Sequence, residues 1–274
     1  MSRTMSVSGK TAIVTGAASG IGRAIACSLA ARGCHLALAD VNAAGLRETV
    51  AMLGTGIRVT CHDLDVSDTH AVAALPGQIA AAHGAADILV NNAGVAMGGT
   101  FQAIDEADFD WLMAINFHGV VRMTRAFLPM LQTRVVAQIV NLSSVYGLIA
   151  PAGQSAYAAS KFAVRGFSEV LRNELRIAGS PVGVTVVHPG GIKTAIADNA
   201  RVPPNTDPDE ERREREHFAV ALRMPPAKAG EIIVRGIMAR RARVLVGTDA
   251  KIVSIVERLM PVANFRFLRG LGLL

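Results

Sequence analysis

A tyrosine and a lysine stand four residues apart in Tyr157-Ala158-Ala159-Ser160-Lys161, and a serine precedes them in Ser144-Val145-Tyr146-Gly147. Four-residue spacing places two side chains on one face of a helix. The stretch from Tyr157 to Ile177 is rich in Ala, Leu, Arg and Glu and holds no proline, so a helix is expected there. A phenol ordinarily titrates near pH ~10, and an ammonium beside it favours the phenolate and lowers that value. Such a pair can act as acid or base on a substrate oxygen. A serine hydroxyl can hold the same oxygen with a second hydrogen bond. Ser144 follows Gln138-Ile139-Val140-Asn141-Leu142, an apolar run that reads as a buried strand. A tyrosine and a lysine also fall four apart by chance, so the reading depends on the elements around them.

Those elements alternate strand and helix. Thr11 to Thr15 is a short apolar β run, followed by glycines in Thr15-Gly16-Ala17-Ala18-Ser19-Gly20-Ile21-Gly22 and a helical pattern from Arg23 to Arg32. Strand, glycine turn and helix in that order let backbone N–H groups and a helix N-terminus receive a phosphate. A second strand, His35 to Ala39, ends in Asp40. An acidic residue about 20 positions beyond the glycines is placed to bind adenosine ribose hydroxyls. Its charge repels a 2′-phosphate, Val41 rather than arginine follows, and Ser19 in the loop is uncharged, so NAD is expected over NADP. Capping of the helix that starts near Asn42 is the competing role for Asp40.

After a helix (Ala43 to Leu53) and a third strand (Ile57 to Cys61), Asp63-Leu64-Asp65-Val66 brings Asp65 and Val66 to the adenine side, where Asp65 can accept a hydrogen bond from an amino group. Ser67 or Asp68 caps the next helix. The fourth strand, Asp87 to Val90, runs into Asn91-Asn92-Ala93-Gly94, whose small residues let backbone approach a ligand at the strand ends. Asp105 to Gln132 reads as one long helix, apolar on several sides, with Asn116 at its middle as a point where the turn distorts or water binds. A sixth strand, Val182 to Val187, ends in His188-Pro189-Gly190-Gly191-Ile192-Lys193-Thr194, where proline and glycines stop the strand and bare the backbone. Residues 195–226 break the pattern and read as a lid over the strand ends, with Glu211/Arg215 and Arg212/Glu216 at helical spacing. A helix (Ala227 to Arg241) and a seventh strand (Arg243 to Gly247) close the series.

Composition narrows the function classes. Hydrophobic content of 51% supports a large core, and aromatics at 4% make that core mostly aliphatic. Three cysteines form no C-x-x-C pair, which suits free thiols in a reducing, cytoplasmic setting. Met1 to Lys10 is polar, so no secretory leader is expected, and no run reaches the ~18 apolar residues of a spanning helix. The net charge of +6 is dispersed, without the aromatic interleaving of a nucleic-acid platform. The seven histidines lack metal-ligand spacing, so no metal is expected. The tail from Ala250 to Leu274 is amphipathic and then apolar, with Arg266 and Arg269 among Phe265, Phe267, Leu268, Leu271, Leu273 and Leu274. Docking on the body or a neighbouring subunit, and contact with a membrane surface, are both open for it.

Together, Thr15-Gly16-x-x-x-Gly20-Ile21-Gly22, Asn91-Asn92-Ala93-Gly94, Asn116, Ser144, Tyr157-x-x-x-Lys161 and Pro189-Gly190 resemble the short-chain dehydrogenase/reductase family in order and spacing, over about residues 9–250. The resemblance implies an α/β fold, a single Rossmann-like domain on a seven-stranded parallel sheet. It implies that Tyr157 exchanges the proton with the substrate oxygen, Ser144 orients that oxygen, Lys161 lowers the Tyr157 pKa and binds the nicotinamide ribose, and Asn116 holds a relay water. Ile192 and Thr194 would contact the nicotinamide carboxamide, and the helices Asp105 to Gln132 and Ala152 to Ala178 would build a homotetramer or dimer. The expected reaction is hydride transfer between NAD(H) and a secondary alcohol or ketone. Val145, Tyr146, Leu148, Ala152, Ala195, Ile196 and the lid form the candidate pocket, mostly apolar, which favours a lipophilic small-molecule substrate. A 3-hydroxyacyl thioester and a non-catalytic NAD(H) sensor are the alternatives.

Overall fold

The computed structural model describes residues 4–196, 198–203 and 222–270. Seven strands, β1 (Thr11–Thr15), β2 (His35–Asp40), β3 (Val59–Asp63), β4 (Ile88–Asn91), β5 (Ala137–Leu142), β6 (Val182–Pro189) and β7 (Arg243–Val246), form one parallel sheet in the order β3-β2-β1-β4-β5-β6-β7. β1, β4 and β5 are buried along their whole length, which is why they read as continuous apolar runs. Alternate side chains enter two helical layers. Ala12, Val14, Leu36 and Leu38 pack with Ile25 and Leu29 of α1 (Gly20–Ala30) and Ile233 and Ile237 of the helix Pro226–Met238. Ile13, Ala37, Leu89 and Ile139 pack with α3 (Thr69–His83), α5 (Gly119–Gln132) and α6 (Ser155–Ile177). The helix Pro226–Met238 is α7.

β1 pairs with β2 on one side and β4 on the other. The chain reverses direction across the sheet there, so the carboxyl ends of β1 and β4 open a crevice, the usual ligand position in such sheets.

The structure differs from the sequence reading at two places and decides two alternatives the sequence left open. The long helix is interrupted: α4 (Glu106–Met113) passes through a π turn, Ala114–His118, into α5, and Asn116 sits in that turn. A π turn inserts an extra residue and is common at functional sites. The third strand lies two residues later than expected, because its register pairs Leu36 with Val59 and Asp40 with Asp63. Asn42, not Asp40, caps α2 (Ala43–Ala51), its side chain accepting the Gly45 N–H. Asp68, not Ser67, caps α3 by accepting the His70 and Ala71 N–H groups. Most of the lid segment, including Glu211, Arg212, Arg215 and Glu216, lies outside the described residues, as do Leu271, Leu273 and Leu274.

The chain closes with α8 (Thr248–Leu259) and α9 (Asn264–Gly270). Val253, Val256 and Leu268 from these helices pack on Leu148 and Ile149, just beyond the 3₁₀ turn Val145–Gly147.

A single carboxylate ties together the amino ends of β1 and β4, at the opposite end of the strands from the crevice. Asp87, buried just before β4, accepts from the Thr11 N–H at 3.1 Å, Lys10 Nζ at 3.2 Å and Arg134 Nε at 2.9 Å. Removing it leaves two partly buried cations facing each other. Asp87→Ala should therefore lower the unfolding free energy by about 3 kcal/mol, the low end for a broken buried pair because both cations keep some exposure. A urea titration measures this; a loss under about 1 kcal/mol would show that the cluster is not a structural tie.

Candidate active site

At the carboxyl ends of the strands lies a cavity of about 660 Å³. One end is built on the glycine loop. Thr15 Oγ1, at the end of β1, accepts from the Asn92 and Ala93 N–H groups, both at 3.0 Å. Asn92 Nδ2 donates to the Thr15 and Gly16 carbonyls at 2.9 and 3.0 Å. The amide of Asn92 thus pins the glycine loop to the end of β4, while the residue still lines the cavity. Gly16 has φ of 65°, and a Cβ on Gly22 would fall 2.0 Å from the Gly16 carbonyl oxygen. Loop and helix can approach so closely only as glycines. Ser19 is the N-cap of α1, yet its side chain makes no capping bond. The N-terminal turn of α1 therefore points its backbone donors and its positive dipole end at the cavity, which Gly20 and Ile21 line. This cradle fits the diphosphate of a dinucleotide.

Asp40 also lines the cavity. One carboxylate oxygen accepts the Ala18 N–H and the other the Asn42 N–H, both at 2.9 Å. Two backbone bonds leave further acceptor sites on the carboxylate. Arg23 of α1 is engaged elsewhere: it donates to Thr49 Oγ1 at 2.9 Å, Gly45 O at 3.2 Å, Glu48 at 2.8 Å and the Ala18 carbonyl. Asp65 and Val66 line the same end, with one Asp65 oxygen accepting the Ser67 N–H and hydroxyl. Ile192 and Thr194 close the cavity from the loop after β6; a Cβ on Gly20 would lie 3.1 Å from the Thr194 methyl.

The other end holds Ser144, Tyr157 and Lys161, with Ala93 and Gly94 between the two ends. The Ser144 hydroxyl accepts the Tyr146 N–H at 3.1 Å and lies near enough to the Tyr157 hydroxyl to favour its ionised form. Lys161 Nζ donates to the Leu142 carbonyl at 3.2 Å and lies 5.5 Å from the Tyr157 ring centre. Asn116 sits behind this wall rather than in it. Its amide oxygen accepts the Val95 N–H at 2.8 Å, and its amide nitrogen donates to the Val95 carbonyl at 2.9 Å and to Ser160 Oγ at 3.3 Å. Gly22 likewise shapes the cavity from behind.

Burial governs the electrostatics of the pair. Enclosure pushes the Tyr157 phenol up to about 12, although the neighbouring Ser144 hydroxyl acts in the opposite direction. Enclosure pulls the Lys161 ammonium down to about 8. Removal from water disfavours both charged forms. The spacing of Tyr157 and Lys161 led us to expect a lowered phenol; without a further positive charge in the cavity, desolvation outweighs the lysine.

Several contacts were not legible in the sequence. His188 Nδ1–H donates to the Ser144 carbonyl at 2.9 Å, and burial pulls the imidazole down to about 4, so it is neutral there. Asp249 of α8 accepts the Gly191 N–H at 2.6 Å and fills the space beside Gly190. Asp249 and Val253 bring α8 into the cavity wall. Of the expected pocket residues, Val145, Tyr146, Ala195 and Ile196 line the cavity; Leu148 and Ala152 do not. Leu148 is directed into the cluster with Val253, Val256 and Leu268, and Ile149 takes a place in the wall. Trp111 and Leu222 complete the apolar end. Trp111 is held by the Arg201 guanidinium, 3.5 Å from its ring centre, which also pairs with Asp108 at 2.8 Å. Among the described residues no group of three or more His, Cys, Asp or Glu could hold a metal ion.

Comparison with known proteins agrees with this architecture. A family model described as short chain dehydrogenase matches residues 10–204. The SadH protein of Mycobacterium tuberculosis H37Rv is 44% identical over 257 residues, covering 93% of this chain and 92% of its own length. The crystal structure of a short-chain dehydrogenase/reductase from Burkholderia phymatum in complex with NAD superposes with a TM-score of 0.86 at 32% identity, covering 93% of this chain and 95% of that one. A metagenomic short-chain oxidoreductase in complex with NADP superposes with a TM-score of 0.70 at 30% identity, covering 88% and 98%.

Proposed function

The chain belongs to the short-chain dehydrogenase family and is an oxidoreductase of that type using a nicotinamide cofactor; on that premise we propose that it is NAD-linked and interconverts lipophilic secondary alcohols and ketones. One observation carries the reading. Ser144, Tyr157 and Lys161 share a cavity with a phosphate-receptive glycine loop and the Asp40 carboxylate. Asp40 supports NAD, with Arg23 paired to Glu48, and the relative bound to NAD shares the fold at 32% identity. The wall of Trp111, Val145, Ile149, Ile196 and Val253 supports an apolar substrate.

When bound, the cofactor accepts or gives the hydride. The protein handles the proton and the geometry. The Ser144 hydroxyl, whose oxygen already accepts the Tyr146 N–H, keeps its proton to donate to the substrate oxygen. In oxidation the Tyr157 phenolate takes the alcohol proton; in reduction the phenol returns it. Lys161, anchored on the Leu142 carbonyl, favours the phenolate by its charge and reaches the nicotinamide ribose. The side chain of Asn116 is spent on Val95, so a relay water would be held by backbone of the π turn. Ile192 and Thr194 face the carboxamide. The whole chain is one catalytic domain in this reading. It assembles as a homo-oligomer, for which the exposed Phe162, Val170 and Ile177 of α6 offer an apolar contact.

The pH profile tests this reading. Oxidation needs the deprotonated phenol, so its rate should rise with pH; reduction needs the protonated phenol, so its rate should fall above the same pKa. Removing the ammonium raises that pKa. Lys161→Met should therefore shift both profiles to higher pH and lower oxidation by at least about 10²-fold at neutral pH. Unshifted profiles in the variant would contradict the role of Lys161. A series of secondary alcohols of growing apolar bulk tests the substrate class, with kcat/KM rising along the series; a decline would remove the lipophilic reading.

A further inference from the structure

We propose that the outer face of α8 and α9 docks the protein on an anionic lipid surface, beside the wall through which an apolar substrate reaches the cavity. The two faces of α8 differ in kind. Its inner face carries Asp249 and Val253 into the cavity wall, and Val256 packs against Leu148 and Ile149 with Leu268 of α9. Its outer face carries Ile252, Ile255 and Leu259, spaced three and four residues apart and so aligned on one side of the helix. Ile255 is 59% exposed and Leu259 75%, and the patch continues through Met260, Val262 at 95% and Phe267 at 43%. An apolar strip of this length, exposed along α8 and on into α9, marks a contact site.

Charge selects the occupant. Lys251 and Arg258 recur at seven residues along the edge of the strip, and Arg266 and Arg269 extend the line onto α9, all four exposed. Within α8 and α9 the acidic residues are Asp249, which is turned inward to Gly191, and Glu257. An apolar face with a cationic edge is complementary to the boundary between anionic headgroups and acyl chains. A second copy of the chain would set these four cations against their own images. Among the described residues no helix is long and apolar enough to cross a membrane, so the element lies on the surface rather than spanning it. The purpose of docking rests on the lipophilic substrate proposed above; the docking itself does not, and the assay keeps the two apart.

Full-length protein is sedimented with vesicles of phosphatidylcholine alone or of equimolar phosphatidylcholine and phosphatidylglycerol. Its mass in solution is measured in parallel by light scattering, and turnover of a short, water-soluble alcohol is followed without lipid. Binding to the anionic vesicles only is expected. Replacing Ile252, Ile255 and Leu259 by Ser together, or Arg258→Glu with Arg266→Glu, should each weaken it more than about tenfold, since a surface cation contributes roughly fivefold. The mass and the turnover of the soluble alcohol should not change. Absence of vesicle binding, or binding unaffected by both variants, would overturn the proposal. A fall in mass in the triple variant would also overturn it, by showing that the face joins copies of this chain. Loss of turnover in the unmutated protein would speak only to the oxidoreductase reading.

Discussion

Tyr157→Phe is expected to lower turnover by about 10³-fold or more in both directions while NAD(H) affinity changes less than about threefold, because the hydroxyl is the group that moves the proton. The phenol ring makes an edge contact with Tyr146, with ring centres 6.1 Å apart, and phenylalanine keeps that packing. The lost atom is the hydroxyl that lines the cavity beside Ser144, where the substrate oxygen must be met. Burial holds the phenol near 12 in the free protein, so a positive charge admitted beside it is needed for the base to form at neutral pH. The rise of oxidation with pH should therefore disappear in the variant along with the rate. Cofactor titration by fluorescence and steady-state rates separate binding from chemistry. A variant that keeps more than about a tenth of its turnover would remove Tyr157 from the proton path.

The second large effect concerns cofactor choice. Asp40→Asn keeps an acceptor oxygen for only one of the two backbone donors, Ala18 or Asn42, and removes the charge. Bonds from ribose hydroxyls to a carboxylate contribute about 1.5–3 kcal/mol, and the same charge opposes a 2′-phosphate. The ratio of kcat/KM for NAD⁺ to that for NADP⁺ should fall about 10³-fold, with KM for the alcohol unchanged. The direction follows from Arg23, which is held by Thr49, Gly45 and Glu48 and offers no competing site for the phosphate. A change in the ratio below about tenfold would mean that Asp40 serves the loop rather than the ribose.

How much of this was legible in the sequence depends on what fixes each residue. The strands were visible because both faces of the sheet are covered, so β1, β4 and β5 appear as unbroken apolar runs. The glycine loop, Asp40 and the Tyr157–Lys161 pair were visible because their spacing is local. The π turn was marked only by Asn116 as a point of distortion within one long helix; the break itself was not visible, since Asn116 bonds to Val95, a residue far away in the chain. The caps at Asn42 and Asp68 rather than their neighbours depend on backbone angles that residue type does not decide. Leu148 and Ile149 are chemically alike and both pack against α8 and α9, and only that packing decides that Ile149 also reaches the cavity wall. For the same reason Asp249 gave no signal: its partner, Gly191, is reached only once α8 folds back over the end of β6.

Transfer of the carbinol hydrogen tests the central claim most directly. An apolar secondary alcohol carrying deuterium on its carbinol carbon is turned over with NAD⁺, and the reduced cofactor is analysed by mass spectrometry and NMR. Direct hydride transfer predicts one deuterium on the nicotinamide ring, on a single face, and none exchanged with water. Label found in the solvent, or turnover without label in the cofactor, would contradict the account.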